Sequence, residues 1–173
     1  MQVRARQQRS DAGADFGDWM AARQVALTRT AYLLTGSQHA AEDLVQTTLT
    51  KLYLAWGRIA DRQHVDAYAR RALVNEHRST WRRARRRPEV LAATPPDVVR
   101  EADEYDGARE AVWQFVQSLP PRQRAVIVLR YYEDLSEAEI ADLLGISAGT
   151  VKSQASKALA LLRERVPGQK EDR

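Results

Sequence analysis

The sequence predicts an all-α fold made of two small helical domains joined by a tether. Apolar residues recur at helical spacing in tract after tract, and no stretch alternates apolar and polar residues as a half-buried strand would. The periodicity lapses once, between 83 and 107, where arginines give way to prolines and then to acidic residues. No glycine-rich phosphate loop and no internal repeat competes with this picture.

The first tract carries Phe16, Met20, Leu27, Ala31 and Leu34 and stops at Gly36. The second carries Val45, Leu49, Leu52, Tyr53 and Trp56. The third begins near Val65 and continues through Tyr68, Ala69, Ala72 and Leu73. Three such helices can bury one small core, so residues 15–82 are expected to form the first domain, behind a disordered tail over 1–14. Pro88, Pro95 and Pro96, with the acidic run Glu101, Asp103, Glu104 and Asp106, mark 83–107 as a linker.

The second domain, 108–166, opens with Ala108, Val112, Phe115 and Leu119, breaks at Pro120 and Pro121, and resumes with Ala125, Val128, Leu129 and Tyr132. Ser136 and Glu139 form a capping box ahead of Ile140, Leu143 and Leu144; Gly145 supplies a turn and Ser147 caps the helix that carries Val151, Ala155, Ala158 and Leu162. This order reads as a helix-turn-helix. A short tail, 167–173, follows.

Composition narrows the function. The chain has 173 residues, too few for a large enzyme, and a 44% hydrophobic content suited to a globular protein. A net charge of +4 admits an anionic partner without requiring one. With no cysteine and three scattered histidines, His39, His64 and His77, no disulfide, thiol nucleophile, metal site or cofactor is expected. No catalytic residue is assigned, since the acidic run sits in the linker as solvating charge. The basic start of the chain lacks the apolar core of a signal peptide, and the longest apolar run, Ala125 to Leu129, is far short of a bilayer span. A cytoplasmic protein without membrane contact is expected.

Two surfaces suit nucleic acid. If Val151, Ala155, Ala158 and Leu162 face inward, Gly149, Ser153, Ser156 and Ala160 face outward, with Thr150, Lys152 and Lys157 beside them. Small hydroxyl side chains flanked by cations fit a helix lying in the major groove, although the same residues would also serve as a plain solvated face. On the third helix Arg71, Asn75, Arg78, Arg82 and Arg85 recur at spacings of four and three, opposite Tyr68 and Ala72, with Val74 and Trp81 alongside. Arginines for phosphates and an indole for stacking suit unpaired DNA; a solubilising ridge is the alternative. On the second helix Asp43, Gln46, Thr47, Thr50 and Leu54 form a mixed face away from the core, by itself no more than exposed helix.

The motifs resemble those of the extracytoplasmic-function sigma factors of bacterial RNA polymerase, over about 15–165. Ala41 to Gln46 followed by Trp56 is similar to the core-binding motif of region two, and Asp66 to Asn75 with the arginine run to the promoter-melting segment. Leu119 to Arg124, Glu139 to Ala141 and Gly149 to Ser153 are similar to region four. The resemblance implies core RNA polymerase as partner, through the β′ clamp and the β subunit, promoter DNA as ligand, and an anti-sigma factor as a further partner. By the same token Asp43 and Gln46, with Thr47, Thr50 and Leu54, dock on the polymerase. Asn75 and the loop around His64, Val65 and Asp66 read a flipped minus-ten base, and Arg71, Arg78, Trp81 and Arg82 hold or melt the strand. Ser147, Gly149, Thr150, Lys152, Ser153, Ser156 and Lys157 then read the minus-thirty-five duplex. Gln154 and Lys157 stand where the family commonly has arginine. The Lys152 to Ser156 form, with Tyr32 to Gly36 and Val74-Asn75, looks most like an actinobacterial SigE-type subgroup. A stand-alone helix-turn-helix repressor or activator is the rival, though the charged ridge makes a poor dimer interface.

Overall fold

A computed structural model describes residues 2–59, 64–85 and 107–165, with side chains for 15–59, 64–83 and 110–164. Among the described residues every regular element is helical: α1 (Gln2–Thr35), α2 (Gln38–Ala55) with a tight turn at Trp56–Arg58, α3 (Val65–Arg85), α4 (Gly107–Ser118), α5 (Pro121–Ile127) widening over Val128–Tyr132, α6 (Glu137–Leu144) and α7 (Ala148–Arg165). The chain divides into two compact units, Met1–Pro95 and Pro96–Arg173. No helix among the described residues is long and apolar enough to cross a membrane.

In the first unit Gly36 ends α1 because its positive φ of 77° is open to glycine at little cost, and Ser37 accepts the Ala40 N–H to start α2. Phe16, Leu52, Trp56, Val65 and Ala69 form one buried cluster, and Ala31, Ala41, Leu44, Val45 and Leu73 another. Thr48 sits fully buried on α2; its hydroxyl donates to the Leu44 carbonyl at 2.7 Å, which lets a polar side chain occupy a core position.

Several expectations need correction. α1 begins at Gln2, inside the segment expected to be a disordered tail, and passes through Gly13 and Gly17. α3 runs to Arg85, past the expected linker start, and α4 begins at Gly107; the linker residues 86–106 and the tail 166–173 lie outside the described residues. Tyr68 is 46% exposed instead of buried, and Tyr53 57%. Val74, expected beside the arginine row, is fully buried with Val65, Ala69 and Leu73. A helix enclosed on two sides buries a wider arc than the narrow stripe that a periodicity count assumes.

In the second unit the two prolines separate α4 from α5, Pro121 taking the first helical position where no N–H is missed. The Arg124 guanidinium donates to the carbonyls of Gln117 and Leu119 at 2.6 and 3.2 Å, tying off the end of α4; burial lowers its pKa from the usual arginine value. Phe115, Leu119, Ala125, Val128, Leu129, Ile140, Leu143, Leu144, Val151 and Ala158 are buried, whereas Val112 and Tyr132 lie exposed. Tyr132 turns outward because the helix widens there, Glu133 N–H reaching back five residues to the Val128 carbonyl at 3.1 Å.

Candidate nucleic-acid and polymerase interfaces

The helix-turn-helix is built as its sequence reads. Ser136 accepts the Glu139 N–H at 3.2 Å while Glu139 receives the Ser136 N–H at 2.8 Å, so two orphan donors at the start of α6 are satisfied. Gly145, at φ 62°, ends α6 in the left-handed region. Ser147 then accepts the Thr150 N–H at 3.1 Å and shares a hydrogen with the Thr150 hydroxyl at 2.9 Å. Ser147 therefore caps α7 while staying exposed beside Gly149, Lys152, Ser153, Ser156 and Lys157, and Thr150 is half-buried. A methyl group at Gly149 would meet only the Ser147 hydroxyl, at 3.9 Å, so the fold itself does not demand glycine there.

One feature of this surface escapes sequence reasoning. Glu137 lies between Arg130, at 3.4 Å, and Lys152, at 3.6 Å, so a cation of the exposed side of α7 is held by a carboxylate of the preceding helix. Helical spacing on α7 alone carries no sign of a partner on another element.

On α3, Arg71, Asn75 and Arg82 are exposed, and Arg78 and Trp81 are half-buried. The side chain that shares the exposed side with Arg71 and Asn75 is Tyr68, three and seven residues earlier, not the buried Val74. His64 is exposed just before the helix, and 60–63 lie outside the described residues. Val65 is 2% exposed and packs in the core. Asp66 is also engaged: Oδ1 accepts from the Trp19 indole N–H at 2.9 Å and from Arg23 Nε at 3.1 Å, and Oδ2 lies 2.8 Å from the second Arg23 nitrogen.

Beneath α3, Glu76 is nearly buried and binds Lys51 of α2 and, at 3.0 Å, Arg83 of its own helix. The Lys51 hydrogen bond holds its carboxyl below the usual carboxylate range, with Arg83 adding to the effect and burial opposing it. On α2, Asp43, Gln46, Thr47, Thr50 and Leu54 form one exposed stripe, with Leu54 71% exposed and Asp43 paired to His39 at 3.5 Å. No group of three or more His, Asp or Glu side chains among the described residues could hold a metal ion.

Comparison with known proteins places both units. Residues 19–87 match the Sigma-70 region 2 model and residues 109–162 the Sigma-70 region 4 model. The RNA polymerase sigma-E factor of Streptomyces avermitilis is 42% identical over 151 residues, spanning 87% of this chain and 84% of the relative. That of Streptomyces coelicolor is 41% identical, spanning 87% and 85%. The solved sigma factor RpoE of Bartonella quintana, in complex with the anti-sigma factor NepR, superposes with a TM-score of 0.70 at 26% identity, over 89% of this chain and 99% of that one. With one sigma-70 region on each unit and relatives matched over most of their length, this chain belongs to the extracytoplasmic-function sigma factors, of the sigma-E type.

Proposed function

We propose a residue-level division of labour for this transcription-initiation factor. The α2 stripe of Asp43, Gln46, Thr47, Thr50 and Leu54 docks core RNA polymerase on the β′ clamp. The exposed Tyr68, Arg71, Asn75 and Arg82 of α3, with the half-buried Arg78 and Trp81, take the opened minus-ten strand, arginines on phosphates and an aromatic ring against an unstacked base. The exposed side of α7, Gly149, Lys152, Ser153, Ser156 and Lys157, reads the minus-thirty-five duplex in the major groove. Ser147 and Thr150 support it as a cap, and Val65 and Asp66 support α3 rather than touching DNA. The protein acts in the cytoplasm, without catalysis of its own, and an anti-sigma factor is a fitting regulator, as for the relative solved with NepR.

The observation that carries this reading is the pairing of two unlike exposed surfaces, an arginine row and a small hydroxyl face, with the two sigma-70 regions in order. Nothing supports a stand-alone repressor. Run-off transcription with purified core polymerase on a promoter library tests the role and the sequence preference together. Asn75→Ala is expected to reduce permanganate reactivity of the melted bubble about tenfold while closed-complex binding persists. An unchanged bubble removes Asn75 from the strand contact, and tight specific DNA binding without core polymerase refutes the reading as a whole.

A further inference from the structure

We propose that Trp19 and Arg23 of α1 are positioning residues for minus-ten recognition: they clamp the Asp66 carboxylate and so refine the rotation of α3, which presents Tyr68, Arg71 and Asn75. This rests on the assignment of α3 to the opened strand.

Three donors converge on one carboxylate from 43 and 47 residues away in sequence. Arg23 approaches both oxygens of Asp66, at 3.1 and 2.8 Å, in the forked geometry that fixes direction as well as distance. The third donor is an indole N–H whose aim is itself constrained, because the Trp19 ring packs against Phe16 at 6.0 Å and Trp56 at 5.4 Å between centroids. Trp56 is buried, so the Trp19 arm of the clamp is rooted in the core, whereas Arg23 reaches Asp66 along the surface.

Arg23 and Asp66 are each about half exposed, and an ion pair in that setting adds little to global stability. Its value lies in geometry. The buried Val65, Ala69, Leu73 and Val74 set which side of α3 faces the core, and directional bonds refine its rotation within that limit. A forked hydrogen bond at the second residue of the helix does so. Because the helix is stiff, an error at Asp66 is carried to Arg71 and Asn75, the latter nine residues or about 13 Å along the axis. Glu76 ties the same helix to Lys51 of α2, so two carboxylates fasten α3 to two different neighbours.

The test uses the full chain reconstituted with core polymerase, on a promoter active with the wild type and on versions with single-base changes in the minus-ten element. Open-complex formation, affinity for core polymerase and thermal stability are measured for Arg23→Ala, Arg23→Lys, Trp19→Phe and Asp66→Asn. The preference for the parental element over the altered ones is expected to fall about three- to tenfold in Arg23→Ala, Trp19→Phe and Asp66→Asn, with core affinity and melting temperature held. Arg23→Lys, which keeps the charge and loses the fork, is expected to fall between them and the wild type. Unchanged preference in all three variants overturns the proposal, as does a loss that merely follows stability or core affinity. A wild-type holoenzyme with no minus-ten preference refutes the assignment of α3 itself, whereas a selective wild type with indifferent variants refutes only the clamp.

Discussion

Both units gather cations for an anionic partner, and both set a carboxylate among them, but at different depths. In the first unit Glu76 is 9% exposed and binds Lys51 and Arg83, neither of which belongs to the row of Arg71, Asn75 and Arg82. In the second, Glu137 is more accessible and binds Lys152, which does belong to the exposed side of α7. A carboxylate with little exposure loses more when its cations leave than an accessible one does, so Glu76 acts as part of the scaffold although Lys51 and Arg83 are largely exposed. An accessible one gives up its cation cheaply, so on the proposed reading Glu137 would exchange Lys152 with DNA. Depth decides which ion pair is scaffold and which can exchange.

The largest effect expected from breaking this contrast is on Glu76. Glu76→Gln removes the charge from a nearly buried site bridging α2 and α3, and should destabilise the first unit by about 1–2 kcal/mol, read as a fall of roughly 5 °C or more in its melting temperature. The pH dependence has the matching sign. Because the folded carboxyl titrates below its ordinary value of 4.5, its contribution is complete above that value and is lost as pH falls through the depressed one. Acid unfolding of the wild type below pH 4.5 should therefore be steeper than that of Glu76→Gln, measured by circular dichroism. Equal steepness would mean that the pair contributes nothing.

A smaller and opposite effect is expected at Glu137. Glu137→Gln should leave folding nearly unchanged and raise non-specific duplex affinity of the holoenzyme about two- to fivefold, with a salt dependence steeper by up to about one counterion. Weaker binding would instead assign Glu137 to the orientation of Lys152. The smallest effect on folding is expected at Gly149: with only the Ser147 hydroxyl near a new methyl group, Gly149→Ala should hold or raise stability by less than about 1 kcal/mol. Any loss of minus-thirty-five binding in that variant then reports close approach of the duplex, and full binding argues against it.

How far the sequence could be read depended on the range of the interaction. The capping box, the Gly36 and Gly145 stops and the proline break are set by residues within a few positions of one another, and each stands where its spacing put it. The exposed side of α7 was legible because its buried positions, Val151 and Ala158, fall on the stripe that the spacing marks. On α3 the same reasoning exchanged Tyr68 and Val74, since periodicity counts apolar residues without knowing how many neighbours a helix will have. Trp19 and Arg23 carried no signal at all, because their partner is 47 and 43 residues away.

The sequence by itself determined the all-helical class, the helix stops and caps, and the order of motifs that marks a sigma factor, because these rest on local backbone preference and on residue types at short spacing. Only the tertiary structure decided that Val65 and Val74 are core, that Asp66 pairs with side chains of α1, and that Glu76 and Glu137 hold their cations at different depths. Burial and ion pairing between helices depend on where distant segments meet, and no count along one segment contains that distance.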